Sequence, residues 1–567
     1  MFFFTALALL FVTPVGLPHG GRFIPPETGG TIPADPTKPG SKATASRIKP
    51  YAFPGSGPHK PFETADWEFW WFFNEVPLLR VKEVFRSRVR EQYVIDEGFD
   101  HRSPINAKQD ATRAELTRLF LEVLEQEDAG LREAAVLSLG RTGGKLAIPH
   151  LADVYESDPD LFVRTQAVVA LGILEEPAAI PVLKAIFEDG SESLEIRGFA
   201  AVAAGFSGGV QARAFFDQWL AEDSFESLDP MLAQAVAFGA GLTRDVALAP
   251  RIHALLKPSR PDDEATVAYL VSGLGDLGDA KSLDMLHEFL DHGSALVRRS
   301  AAIGLGAAGS SVDGRALDRL MHAVDEDADY MVRNFGYLAL GRIGGEQAED
   351  FLLNALEQTT RAQLPFVALG TGMSCGPDHG KRLMQRFREL NDIGGRAVLA
   401  LSVGLSGYAD AKEEMRDMLK EEKSPLYLGY YALALGFLKD RKATDLILEI
   451  YGKENNVELL RFLAMALALI GEPADLSKLH DFLEPSVPDR RRLATVYNLG
   501  RIGDRSALKL LKKIVEDRNE NTLIRRYAVL GLGHLGDERP YPTLSRITHD
   551  HNYTIMENFL YELYNIP

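Results

Sequence analysis

Cysteine is almost absent: the 567 residues hold a single one, Cys375. An intrachain disulfide is therefore excluded, and a thiolate metal site is not expected. Tryptophan is nearly as scarce, with four in the chain. Positive charge is short as well. The first 110 residues balance 13 Lys/Arg against 12 Asp/Glu, so the whole net negative charge of −18 arises in the remainder. That argues against nucleic acid as a partner, since phosphate neutralisation needs clustered Lys and Arg. Long apolar runs are missing too. The longest, Phe2 to Val12, is interrupted only by Thr5 and is too short to span a bilayer. Its length suits the core of a secretory signal. Export is expected, with residues 1–18 as signal peptide and no stable membrane insertion after its removal.

Residues 19–62 are rich in Pro and Gly and have little hydrophobic periodicity, which reads as an extended linker or arm. Residues 63–110 change character. Three of the four tryptophans, Trp67, Trp70 and Trp71, fall within "WEFWWFFNEVP" (67–77). A helix apolar nearly all round is a buried helix. The expectation is an N-terminal cap, with the tryptophans packed on the first repeat around Leu116, Leu119 and Phe120. Docking of a partner and insertion into a membrane are the other readings, the latter needing a longer apolar run or a polybasic flank. Pro77 is expected to stop the helix, and the following basic stretch (78–92) to turn its arginines toward acidic residues.

From about residue 111 one pattern recurs. It is seen in "LREAAVLSLGRTGG" (131–144), "LVRRSAAIGLGAAG" (296–309), "MVRNFGYLALGRIGG" (331–345) and "LIRRYAVLGLGHLGD" (523–537). Aligned on the first glycine of the L-G-x-x-G turn, thirteen units are spaced 29 to 36 residues apart, a solenoid period. The anchors include Gly140, Gly239, Gly370, Gly500 and Gly533, with Ala468 as a substitute. Twelve residues earlier, eleven units have Asp, Ser or Asn, among them Asp128, Ser227, Asp329 and Asn521, which read as N-caps. The anchor glycine is then expected at the left-handed position that ends a helix of about three turns. Two residues before it, every unit but one has Ala, Gly or Ser; Asn498 departs. Eight units place arginine eight residues before the anchor: Arg132, Arg164, Arg197, Arg298, Arg333, Arg396, Arg492 and Arg525. These suit a structural ladder bonding loop carboxylates and carbonyls, or a ligand-binding ladder.

These columns resemble HEAT repeats, specifically the short HEAT-like class of phycobilin lyase subunits. The resemblance implies an all-α superhelix of about 13 helical hairpins over residues 111–540, with second helices lining the concave face. A C-terminal capping helix is expected over 541–567. The N-terminal block, with Trp67, Trp70, Trp71, Phe73 and Asn74, is similar to the front end of uncharacterised exported bacterial HEAT-repeat proteins.

Catalytic motifs are matched only superficially. "GLGDLG" (273–278), "GLGAAG" (304–309) and "GLGHLG" (531–536) fit a dinucleotide fingerprint, but each follows a predicted helix rather than a strand. "GFSGG" (205–209) has the same defect as a nucleophile elbow. "HEFLDH" (287–292) puts Asp291 where a second zinc-binding His belongs. The iron-binding His-Glu pairs of HEAT-like deoxyhypusine hydroxylases are reduced to His287-Glu288. "DEDADY" (325–330) lacks the glycine of a calcium loop. "HDH" (549–551) is a weak metal candidate. No catalytic residue, cofactor or metal site is expected. The expected function is a non-catalytic exported scaffold of the periplasm or cell envelope, monomeric, binding a protein or peptide along the concave face. The alternative is a lyase-type or small-ligand-binding protein with a pocket in that groove.

Overall fold

In the computed structural model the described residues are 67–87, 105–256, 263–359, 361–374, 376–540, 542–548 and 551–553. Cys375, the signal-like segment, the Pro/Gly-rich arm and residues 554–567 lie outside them. Among the described residues the structure is helical, with no strand.

Each repeat is an outer helix followed by an inner one. Outer helices such as Gly314–Glu326 and Leu508–Glu516 are amphipathic, burying Leu317, Leu320 and Val324 or Leu511 and Val515. Pro149 and Pro181 occupy the first turns of Ile148–Ser157 and Ile180–Glu188, where no amide partner is lost. Inner helices begin at side-chain caps. Asp128, Asp160, Ser193, Asp263, Asp329, Asp392, Asn456 and Asn521 accept first-turn amide hydrogens. Ser294 and Ser424 stand at the cap without that bond. In the fourth unit the cap is Asp229, not Ser227.

That shift of two residues corrects the register. The anchor glycine does not end the helix; it lies inside it and meets the next inner helix. A Cβ on Gly172 would stand 2.7 Å from Ala203 Cβ, and one on Gly404 2.8 Å from Ala434 Cα. The partner is always the small residue two before the next anchor. By this rule the fourth and eighth anchors are Gly241, against Gly273, and Gly372, against Ser402. Gly239 and Gly370 are the small partners of Gly205 and Gly341. Corrected spacings run from 31 to 36 residues. The left-handed residue comes three positions after the anchor, as in Gly278, Gly407 and Gly503. Glu175, Arg244 and Lys439 take the same conformation without being glycine. Arg244 confirms the corrected fourth anchor.

Inner helices stack in order from Ala129–Thr142 to Thr522–Gly536, and the last packs on the first. The superhelix thus closes into a ring. A Cβ on Gly533 would stand 2.7 Å from Ser138 Cβ, the same joint as at the other anchor glycines. Arg526 pairs with Glu133 and Lys512 with Glu115 across this seam. Arg525 Nη2 donates to Gln126 Oε1 at 3.0 Å.

Candidate functional site

The concave face of the ring is a lumen, and described residues of 67–87 and 537–553 occupy it. The aromatic helix, Trp67–Leu79, packs on the inner helices there. It does not sit on the first repeat, so the expected packing on Leu116, Leu119 and Phe120 is corrected. Closure leaves no bare apolar end to cap; Leu116 instead lies beside Gly536 of the last unit. Trp67 packs on Tyr430 with ring centroids 4.9 Å apart. Trp70 adjoins Ile303, Phe335 and Leu338. Trp71 is 1% exposed. The helix continues past Pro77 to Leu79, the chain breaks at Arg80 (φ 46°), and 81–87 are helical again.

Described residues between Asp537 and Tyr553 pack on other inner helices of the lumen. Arg539 donates to Ile173 O at 2.6 Å, and Arg546 donates to Leu242 O and stands over the Phe206 ring. His551 lies between Phe238 and Tyr269, with centroids 5.0 and 5.6 Å away. Asn552 Nδ2 donates to Leu296 O and Ser300 Oγ at 3.0 and 2.8 Å. Tyr553 packs on Phe335 and stacks on Phe73 of the aromatic helix. The C-terminal segment therefore touches repeats two to seven. The N-terminal helices touch repeats from the sixth onward. Inner helices are accordingly buried on all sides: Ile524 to Gly536 are buried without a break. An open groove would leave one face exposed, so the expectation of a free concave groove is corrected as well.

The plug also meets the ring through polar groups. Glu75, 2% exposed, pairs with Arg461, 4% exposed. Burial pushes the Glu75 carboxyl above its ordinary value, against the pull of Arg461 and Arg501. Burial also works against the Arg461 charge, but Glu458 and Glu75 hold it above its usual range. Arg342 Nη2 donates to Asn74 Oδ1 at 3.1 Å. Lys82 Nζ donates to His534 O at 2.8 Å and to Asp537 O. Arg86 donates to Asp537 O and Glu538 O at 3.1 Å each. Cations here meet the carbonyl end of the last inner helix, where its dipole favours them. Burial pulls the Lys82 ammonium down to about 7, with Asp537 opposing. Burial likewise lowers Arg141 to about 10 and raises Tyr497 to about 12.

These lumen residues escaped sequence reasoning, although a signal existed. The position just after the anchor faces the lumen, and it is Arg141, Arg342, Arg501 and His534 in four units.

The arginine column lies elsewhere, between repeats. Arg132 Nε and Nη2 grip Asp158 at 2.8 and 3.0 Å, and Arg298 grips Asp327 at 2.7 and 2.9 Å. Arg492 pairs with Glu520, and Arg164 approaches Glu192 at 3.9 Å. Arg164, Arg197, Arg492 and Arg525 donate to Tyr155 O, Phe187 O, Leu483 O and Val515 O. Arg333 donates to Asp327 O, and Arg396 stands over the Phe387 ring at 4.5 Å. The eight are not brought together in one pocket; they bind loops of their own and the next repeat.

The fingerprint-like glycines lie at the ends of inner helices. Ser207 is buried and donates to Ala203 O at 3.3 Å, so it is no exposed nucleophile. Asp327 and Asp329 of "DEDADY" are taken by Arg298 and Arg299. Among the described residues no group of three or more His, Cys, Asp or Glu could hold a metal. One constellation was missed. His253 Nε2 lies 2.9 Å from Ser282 Oγ, which donates to Asp279, beside a groove lined by Val246, Pro250 and Lys281. Ser282 is 0% exposed and holds the cap residue of its own helix, so a substrate has no path to its oxygen. The carboxylate contacts the serine rather than orienting the imidazole, unlike a catalytic triad.

The family described as HEAT repeats matches residues 117–204, 248–334 and 288–364. With the columns above, this makes the chain a HEAT-like repeat protein. No curated protein matches it. Three solved structures show partial likeness. The CpcE–CpcF complex of phycocyanin lyase from Nostoc sp. is 21% identical over 47% of this chain and 95% of that one, with a TM-score of 0.30. Human deoxyhypusine hydroxylase in complex with glycerol is 20% identical over 48% and 99%, TM-score 0.22. Importin beta is 14% identical over 82% and 68%, TM-score 0.36. None superposes well enough to transfer a site. Among the described residues no helix is long and apolar enough to cross a membrane.

Proposed function

We propose that the protein is an exported, non-catalytic scaffold that binds a protein or peptide partner. It does so with the rim and outer face of the ring, because the concave face is held by its own ends. One observation carries this reading. Leu146, Val210 and Val246 are 79%, 71% and 50% exposed, and all stand in the first turn after an inner helix, in units one, three and four. Repetition at equivalent positions lines them along one rim, and exposed apolar surface arranged this way fits protein docking. The test is capture from the cell envelope with the full chain as bait, beside the triple variant Leu146→Asp, Val210→Asp, Val246→Asp. The variant should keep its fold by circular dichroism and lose the partner. Undiminished capture would move the surface elsewhere. For export, the mature chain should begin near residues 17–21; an intact Met1 on a cytoplasmic protein would end that part of the reading.

A further inference from the structure

One joint of the ring differs from the rest. The anchor there is Ala468, and the partner position is Asn498, the one large residue in the small column. The inner helices Val457–Ile470 and Asp489–Ile502 are the most loosely joined neighbours in the ring. Beneath that joint, under the plug, is a cavity of about 40 Å³. Its polar lining includes Lys82, Asn498, Arg501 and His534; Met465, Val76 and Leu79 supply apolar walls. A single water needs only about 10–15 Å³ measured this way, so there is room for a few heavy atoms.

Among the described residues, cations outnumber carboxylates around it. Lys82, Arg86, Arg141, Arg461, Arg501 and Arg539 crowd this end of the lumen, facing Glu75, Glu458, Asp537 and Glu538. The acids are already engaged. Glu75 and Glu458 pair with Arg461, Asp537 is bound by Arg539 at 2.7 and 3.0 Å, and Glu538 pairs with Arg505. Arg501 keeps Nη1 shielded from solvent and without a partner, and so does the Tyr497 hydroxyl. Tyr497 packs against both Arg501, 5.9 Å from its ring centre, and His534, at 5.7 Å. Lys82 spends two of its three donors on carbonyls. Lys82 and Arg501 both line the cavity, and two buried cations side by side call for an anion, since leaving them unpaired is costly.

We infer that this cavity binds a small oxyanion of the phosphate or sulfate type, held by Lys82 of the plug and Arg501 of the ring, with Tyr497 supporting Arg501. The anion would tie the N-terminal helices to the loosest joint of the ring. It is too confined for a nucleotide or a sugar phosphate.

The test is titration of the full chain with inorganic phosphate and with sulfate, by calorimetry and thermal unfolding, against chloride at matched ionic strength. A specific site gives saturable binding and a midpoint that rises with the logarithm of phosphate or sulfate. Arg501→Gln should weaken that binding at least tenfold, and Tyr497→Phe severalfold. Arg388→Gln, a variant of an exposed pair on the outer helices, should leave it unchanged. If Arg501→Gln does not fold, Lys82→Met and Tyr497→Phe decide in its place. Equal response to all three salts means that the cavity holds only water, and it overturns the inference. Undiminished binding in the Lys82 and Arg501 variants overturns it too.

Discussion

Gly533 and Ser138 lie 395 positions apart in the sequence and form one joint: Ser138 Cα would be 2.9 Å from a Cβ at 533. Ser138 Oγ also donates to Val529 O at 3.0 Å, tying the first inner helix to the last. Gly533→Leu should wedge this seam. Overpacking in a tight contact costs about 1–3 kcal/mol, and here the ring can relieve it by opening. Small-angle scattering should then show a larger radius of gyration with unchanged helicity. An unaltered radius in a folded variant would mean that the seam does not hold the ring shut.

Glu75 and Arg461 supply the second prediction. Both are buried, and removing one partner of such a pair typically costs about 3–5 kcal/mol. Arg461→Met should therefore destabilise strongly in urea unfolding. Glu75→Leu with Arg461→Met should recover most of the loss, because no unpaired Glu75 carboxylate is then left buried. A double variant as unstable as the single one would show that the pair contributes more than charge compensation.

Caps, turns and the small column were legible because they are local: Asp128 needs only the amide of Leu131 to declare a helix start. Even so, the anchor was misread as a helix end, because a glycine required for close approach and one required for φ > 0 look alike in sequence. Gly172 does the first, and Gly278 the second. Closure was not legible. It depends on small rotations at every joint summing to a full turn, and no single unit states its rotation. The burial of Trp67 and Trp70 could be read from an all-round apolar helix, but not the surface they meet. A free solenoid end is the ordinary reason for such a helix, and here there is no free end. Glu75, an acid in the midst of that helix, was the overlooked hint that a cation waited in the interior.

His551 predicts a pH dependence. Burial lowers its pKa from 6.5 to about 3, between Phe238 and Tyr269. Above pH 6.5 it is neutral in both folded and unfolded states and contributes nothing. As pH falls from 6.5 toward 3, the unfolded chain takes up the proton and the folded one does not, so stability is lost on acidification. The loss from this group alone is on the order of 3 kcal/mol at pH 4. His551→Phe should flatten the stability profile over this window. An unchanged acid limb in the variant would assign the acid sensitivity to the buried carboxylates instead.

Trp70 provides the last prediction, and its outcome separates a plug from an end-cap. Truncating a buried Phe or Trp typically costs about 3–5 kcal/mol. In an open solenoid with a cap, Trp70→Ala would loosen only the first one or two repeats, because each unit touches only its neighbours. In the plugged ring Trp70 lines a small cavity with Ile303, Gly306, Phe335, Leu338 and Ala339, in the sixth and seventh repeats. Its helix also reaches Tyr430 through Trp67 and Arg461 through Glu75. Amide exchange should therefore quicken in the inner helices Ala295–Ala308 and Tyr330–Ile343, then in Pro425–Phe437 and Val457–Ile470. The first repeat, sealed against Thr522–Gly536, should change least. Loss of protection confined to residues 111–145 would restore the end-cap and remove the plug.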